Sequence, residues 1–262
     1  ISLNYFLIFA LELDISGAAI ASSLAEMGSL VMLCIYMYWK IDKEKYGLYP
    51  GWDGKLLVNV LNLSVWSMFH AFISVAPWFL FFVAIEHLGR TELAISNITR
   101  SVSALFFVIA NSFAVTTGSL VSNAIGAGVG NELFAICSKV LKLGYAIGVP
   151  LVGIAMCCNR WIVGFYTDSE TLIQLAFVPF IVMLLNYTFA LPGYVYLNAV
   201  GGTGKTKITF LFQVTTTFVY LTYLFLLSFY TQVSLAVYLT AEYLFVILLA
   251  VQSIIYLKYK HY

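Results

Sequence analysis

Seven long apolar runs, each parted from the next by a short polar stretch, organise this 262-residue chain. They fall at about 16–38, 56–85, 93–121, 135–158, 172–200, 208–229 and 233–257, with ends open by a few residues. A hydrocarbon core about 30 Å thick needs roughly 20 residues of α-helix, and each run is long enough. The runs are continuous and lack the ten-residue alternation of a membrane β-barrel. The pattern therefore predicts an all-α integral membrane protein with about seven transmembrane helices.

Polar residues within the runs carry the next layer of information. On the second run Asn59, Asn62, Trp66, His70, Ser74 and Pro77 share one helical face, within about 120° at 100° per residue. The third run shows a comparable stripe of Asn97, Arg100, Ala104, Asn111, Gly118 and Ser122. Such stripes either glue helices together or line a cavity. His70 and Arg100 are expensive glue, because an ionised side chain at mid-bilayer costs on the order of 3 kcal/mol. Two carboxylates also lie inside runs. Glu26 shares a face with Ala19, Ser22 and Ser29, and Glu242 follows Tyr238 by one turn. Each is read either as a structural hydrogen-bond partner or as a proton or cation site. Pro77, Pro150, Pro179 and Pro192 predict bends.

Composition agrees with the pattern: 62% of residues are hydrophobic and 10% charged, against about 25% charged in soluble domains. Charge also gives an orientation. All ten lysines (40, 43, 45, 55, 139, 142, 205, 207, 258 and 260) fall in alternate connectors or at the end of the chain. Arg90, Arg100 and Arg160 fall on the other side, with Glu12, Asp14, Glu86, Glu92, Asp168 and Glu170. The positive-inside rule then places the lysine side in the cytoplasm. The four cysteines lie in or beside apolar runs and read as small hydrophobes. The chain starts at Ile1 without a basic n-region or cleavage site, so its first residues read as the cut end of an earlier span, not a signal peptide.

Two glycine-rich stretches imitate nucleotide sites. Ala199-Val-Gly-Gly-Thr-Gly-Lys-Thr206 fits a phosphate loop if Ala is allowed first, but it joins two apolar runs where a soluble α/β domain has no room. Gly126-Ala-Gly-Val-Gly130 would need a glycine where Asn131 stands. Both are read as tight turns at the cytoplasmic face. No nucleotide or nucleic-acid site, metal cluster or catalytic set emerges.

Four stretches in order resemble a known family. They are Leu3-Asn-Tyr-Phe-Leu-Ile-Phe9 with Ser16-Gly-Ala-Ala-Ile-Ala-Ser22, and Trp78-Phe-Leu-Phe-Phe82 with His87-Leu-Gly89 and Glu92-Leu-Ala-Ile-Ser-Asn97. The others are Val121-Ser-Asn-Ala-Ile-Gly-Ala-Gly128 and the 199–206 turn. Together the chain resembles the C-terminal part, spans six to twelve, of a multidrug and toxic compound extrusion (MATE) transporter. The resemblance implies two six-helix lobes, of which this chain supplies one plus the last helix of the other. On that map 1–15 is the end of a preceding span and a hairpin, 16–39 the last span of the N-terminal lobe, 40–55 a cytoplasmic linker and 56–262 the C-terminal lobe.

The family exports amphipathic, often cationic compounds in exchange for H⁺ or Na⁺, without ATP or another cofactor. Implied partners are small organic substrates, membrane lipid and the missing N-terminal lobe, in a bacterial-type inner (plasma) membrane. Members that bind a cation in this lobe carry acids on the seventh and tenth spans. Here those regions offer Ser74, and Ala190 beside Asn186 and Tyr187. Glu26, His70, Arg100, Asn186 and Glu242 are the pathway or coupling candidates, with Asn59, Asn62, Trp66, Asn97 and Asn111 as cavity-lining candidates. A lipid-linked oligosaccharide flippase of the same superfamily is the alternative function, and a membrane enzyme would need a convergent catalytic set that is not seen.

Overall fold

The structure is a computed structural model that describes residues 2–10, 14–41, 53–229 and 233–259. Glu12, Lys43, Lys45, Lys260 and the Pro50-Gly51-Trp52 part of the linker lie outside the described residues. Ten α-helices are described: α1 (Ser2–Tyr5), α2 (Asp14–Lys40), α3 (Gly54–Ile85), α4 (Arg90–Gly126), α5 (Leu133–Cys157), α6 (Asn159–Gly164), α7 (Glu170–Leu185), α8 (Tyr187–Gly202), α9 (Thr206–Ser228) and α10 (Leu235–Tyr259). No strand occurs among the described residues. Among the described residues seven helical stretches are long and apolar enough to span a membrane, α7 and α8 together forming one of them. The chain is an integral membrane protein.

The chain divides into two compact units, Ile1–Lys55 and Leu56–Tyr262. In the first, α1 and a π-helical turn (Phe6–Ala10) pack on α2, where Ala21 is buried. The second holds the remaining spans. Its central rod is α8, which packs on α4, α5, α9 and α10, and Leu191, Val195, Ala199 and Val200 of α8 are fully buried. Phe72, Phe79, Leu105, Ile154, Phe218 and Phe225 stay exposed on the outside. A water-soluble fold hides such residues; lipid is the solvent that suits them.

The fifth apolar run, continuous in sequence, is broken at Asn186. The Asn186 amide N–H turns to Leu184 O, so the Val182 carbonyl loses its regular partner. Tyr243 of α10 donates its hydroxyl to that carbonyl at 2.5 Å. One turn later Pro192 has no N–H for the Thr188 carbonyl four residues before it. Tyr145 of α5 donates to Thr188 O at 2.7 Å. A backbone group left unpaired in hydrocarbon costs several kcal/mol, so each irregularity carries its own repair. Tyr243→Phe is expected to lower stability by about 0.6–2 kcal/mol, read as a lower melting temperature in detergent. An unchanged melting temperature would show that the Val182 carbonyl finds another donor.

Close helix approach is bought with missing side chains. A Cβ on Gly148 of α5 would lie 2.0 Å from the Tyr187 hydroxyl, and one on Gly144 would lie 2.8 Å from Leu191. The small-x-x-x-small pair Gly144 and Gly148 thus forms the seat for α8. Where α4 meets the end of α8, a Cβ on Gly202 would lie 2.4 Å from the Gly118 carbonyl oxygen. The stretch that imitates a phosphate loop is explained by the same helix: Ala199 to Gly202 are helical, and the reversal falls on Thr203 to Lys205. The glycine that the turn itself requires is Gly204, at φ 78°. Gly128, at φ 77°, does the same after α4.

Candidate functional site

Five spans of the second unit line a cavity of about 530 Å³. Helix α3 contributes His70, Ser74 and Trp78, and α4 contributes Arg100, Ser103 and Asn111. The broken span adds Asn186 and Tyr194, α9 adds Gln213, and α10 adds Glu242 and Phe245. The break at Asn186 matters here, because it turns that side chain inward on the cavity wall, where Asn186 is buried and its Oδ1 has no hydrogen-bond partner.

The charged centre is an ion pair between spans that lie 142 residues apart in sequence. Arg100 Nη2 donates to Glu242 Oε1 at 2.5 Å, and the Tyr220 hydroxyl donates to the same oxygen at 3.1 Å. Arg100 is 2% exposed and Glu242 15%. The guanidinium carbon lies 4.0 Å from the Phe81 ring centroid, with Phe82 and Trp78 at 5.4 and 5.6 Å. Arg Nε and Nη1 have no hydrogen-bond partner; the aromatic faces are what they meet. Desolvation makes such a pair costly to break by removing one member, even where its net contribution to stability is small.

Of the residues singled out from sequence, His70, Arg100, Asn111, Asn186 and Glu242 line this one cavity. Others do not. Glu26 belongs to the first unit, where it is exposed, and the neighbouring Ser22 and Ser29 bond carbonyls of their own helix. Asn59 and Asn62 are exposed on the first half of α3. Asn97 is exposed and donates to Leu93 O within α4. Trp66 lies against Phe210, ring centroids 5.4 Å apart, with the Lys207 ammonium 5.2 Å from its ring. The stripes over-count because hydroxyls and amides in a membrane helix bond back to the preceding turn, as Ser101, Ser112 and Thr116 also do.

Sequence reading missed Ser103, Tyr194, Asn198 and Gln213 on the wall and Tyr220 beneath Glu242. Gln213 had a signal: it is a polar side chain inside an apolar run, and it is 2% exposed. Tyr220 had none, since tyrosine is frequent in this chain.

A second cavity of about 310 Å³ adjoins the first and shares His70, Leu197 and Asn198 with it. Its remaining polar lining is hydroxyl, from Ser67, Ser119, Thr206 and Thr209. Among the described residues no group of three His, Cys, Asp or Glu is placed to hold a metal ion.

The family model MatE matches residues 67–226, which span every element of the cavity except α10. The chain belongs to the MATE family. Multidrug and toxin extrusion protein 2 of Mus musculus is 27% identical over 222 residues, covering 79% of this chain and 36% of that protein. Multidrug and toxin extrusion protein 1 of Rattus norvegicus is 28% identical over 160 residues, covering 54% of this chain and 27% of that protein. Among solved structures, the outward-facing conformation of a multidrug resistance MATE family transporter of the MOP superfamily superposes with a TM-score of 0.83 at 17% identity. That match covers 98% of this chain and 59% of the transporter. The match to this MATE chain therefore spans about a third or less of the two Multidrug and toxin extrusion proteins and 59% of the solved transporter.

Proposed function

We propose that this MATE chain supplies the C-terminal lobe of a secondary transporter that exports amphipathic organic compounds by alternating access against a flow of H⁺. The observation that carries the reading is the buried Arg100–Glu242 pair on the wall of an aromatic cavity. Trp78, Phe106, Phe107, Tyr194 and Phe245 offer flat faces to a planar ligand. Among the described residues Glu242 offers the one carboxylate in the lining. A proton on that carboxylate removes the charge that holds Arg100, and a cationic substrate competes with both for the same oxygens. H⁺ fits better than Na⁺, since a sodium ion needs several oxygen ligands and the acids that relatives carry nearby are replaced by Ser74 and Ala190. A flippase for lipid-linked sugars would favour a more cationic wall than one arginine already neutralised.

The reading includes a second six-span lobe as partner, with 16–39 as its last helix. The lysine-bearing turns and the C-terminus face the cytoplasm of a plasma membrane. Cells expressing the intact protein are expected to accumulate less ethidium than cells lacking it, and Glu242→Gln is expected to abolish the difference. Equal accumulation with and without the protein counts against export, and full export by Glu242→Gln removes Glu242 from coupling.

A further inference from the structure

We propose that the two cavities form a single conduit through this lobe, closed in the middle by His70, which passes protons to Glu242 by a route separate from the substrate's entrance. The proposal rests on the coupling role given above to Glu242. Three residues belong to both cavities: His70 on α3, and Leu197 and Asn198 on α8. They form the septum. Leu197 is apolar, and the Asn198 amide nitrogen is already committed to Tyr194 O at 3.0 Å. His70 differs from both, because its Nε2 is buried without a partner. It is also the septum residue whose ring can both accept and donate a proton.

The two chambers differ in a way that suits two kinds of traffic. The first has the aromatic faces and the ion pair. The second carries hydroxyls and no charged side chain, and it ends at Thr206, where α8 turns into α9. Each of the four hydroxyls donates to a backbone carbonyl, so the chamber presents hydroxyl oxygens as acceptors to water, the proton carrier, and gives an aromatic cation no counter-charge. The charged and titratable groups around His70 are Arg100, Glu242, Tyr187 and Tyr194 on the side of the first chamber. From α9, Lys207 lies over Trp66, which stands one turn before His70 on α3. In the transfer, neutral His70 takes a proton from the second chamber on one ring nitrogen and releases one to the first chamber, toward the Glu242 carboxylate.

The outer wall of the second chamber is thin. No residue from 54 to 76 is buried, and this half of α3 is held at Trp66 and Phe69 against Phe210, and by the Thr206 hydroxyl donating to Leu63 O at 3.3 Å. Protons thus have a short way in beside the α8–α9 turn.

The test uses the intact protein in liposomes that hold a pH-sensitive dye, with a pH step and no substrate. His70→Ala opens the septum and is expected to raise proton flux at least about tenfold, the factor given by roughly 1.4 kcal/mol off a barrier. Adding Ser119→Trp fills the second chamber and is expected to return the flux to the parent level. Parent-level flux through a folded, monodisperse His70→Ala protein overturns the conduit. So does a leak that Ser119→Trp leaves untouched. His70→Ser takes the place of the alanine variant if that one does not reach the membrane. A leak in His70→Ala together with full export by Glu242→Gln would uphold the conduit and sink the coupling role, which separates the two failures.

Discussion

Glu242→Leu is expected to lower the stability of the purified protein by about 3–5 kcal/mol, because it leaves the Arg100 guanidinium buried without its counter-charge. Arg100 is 2% exposed, so water cannot replace the lost carboxylate without opening the packing around the guanidinium. The aromatic faces of Phe81, Phe82 and Trp78 remain, and they supply only part of the lost attraction. The double variant Arg100→Met with Glu242→Leu is expected to recover most of the loss, since an apolar pair of similar volume needs no desolvation. Thermal unfolding in detergent reads both. A single variant as stable as the parent would mean the pair is not held dry, and a double variant no better than the single would deny that the charge was the cause. Export should stay lost in the double variant. Stability and function then part company at one site.

The second large effect lies far from any charge. Gly148→Ala is expected to cost about 1–3 kcal/mol or more by overpacking, since the new Cβ would fall 2.0 Å from the Tyr187 hydroxyl and 2.3 Å from its ring edge. The ring has little freedom to yield, because its hydroxyl donates to Gly144 O at 2.9 Å. Gly153→Ala is the control on the same helix. Nothing lies within 4 Å of its Cβ position, so helix propensity alone acts and the change is expected to be neutral or stabilising by up to about 1 kcal/mol. In a Tyr187→Ala background the cost at Gly148 should shrink toward that at Gly153. Equal melting temperatures for the two glycine variants would sink the seat described for α8.

Much of the fold was legible before any coordinates, for a physical reason. Hydrocarbon demands long uncharged helices, so span number and approximate ends follow from where charges stop. The same rule flagged Glu242 and Arg100, each too costly to sit in lipid unexplained, but it could not say that they answer each other across 142 residues. Pairing is a tertiary fact, and a stripe on one helix says nothing about the helix opposite. Asn59, Asn62 and Asn97 show the converse error. An amide on a polar stripe looks functional, yet Asn97 merely serves its own helix. The break at Asn186 was invisible because apolar residues run without pause on both sides. The donor that repairs it is a tyrosine on another span, and only the tertiary packing shows where a hydroxyl goes. The glycines of the 199–206 stretch were legible as structural, though they divide their labour: Gly204 makes the turn, and Gly202 lets α8 touch α4.

The tyrosine caps on the broken span have a mechanical consequence. A proline or a missed hydrogen bond usually creates a hinge, because the freed carbonyl leaves the backbone with one restraint fewer. Here Tyr243 holds Val182 and Tyr145 holds Thr188, each from a different neighbouring helix. Flexing at either point would strip a carbonyl of its donor inside hydrocarbon. The α7–α8 rod is therefore bent without being compliant, and it ties α5 and α10 to one frame. Any change of shape in this lobe is left to parts that lack such ties, and the first half of α3, with no buried residue from 54 to 76, is the part that has the freedom to move.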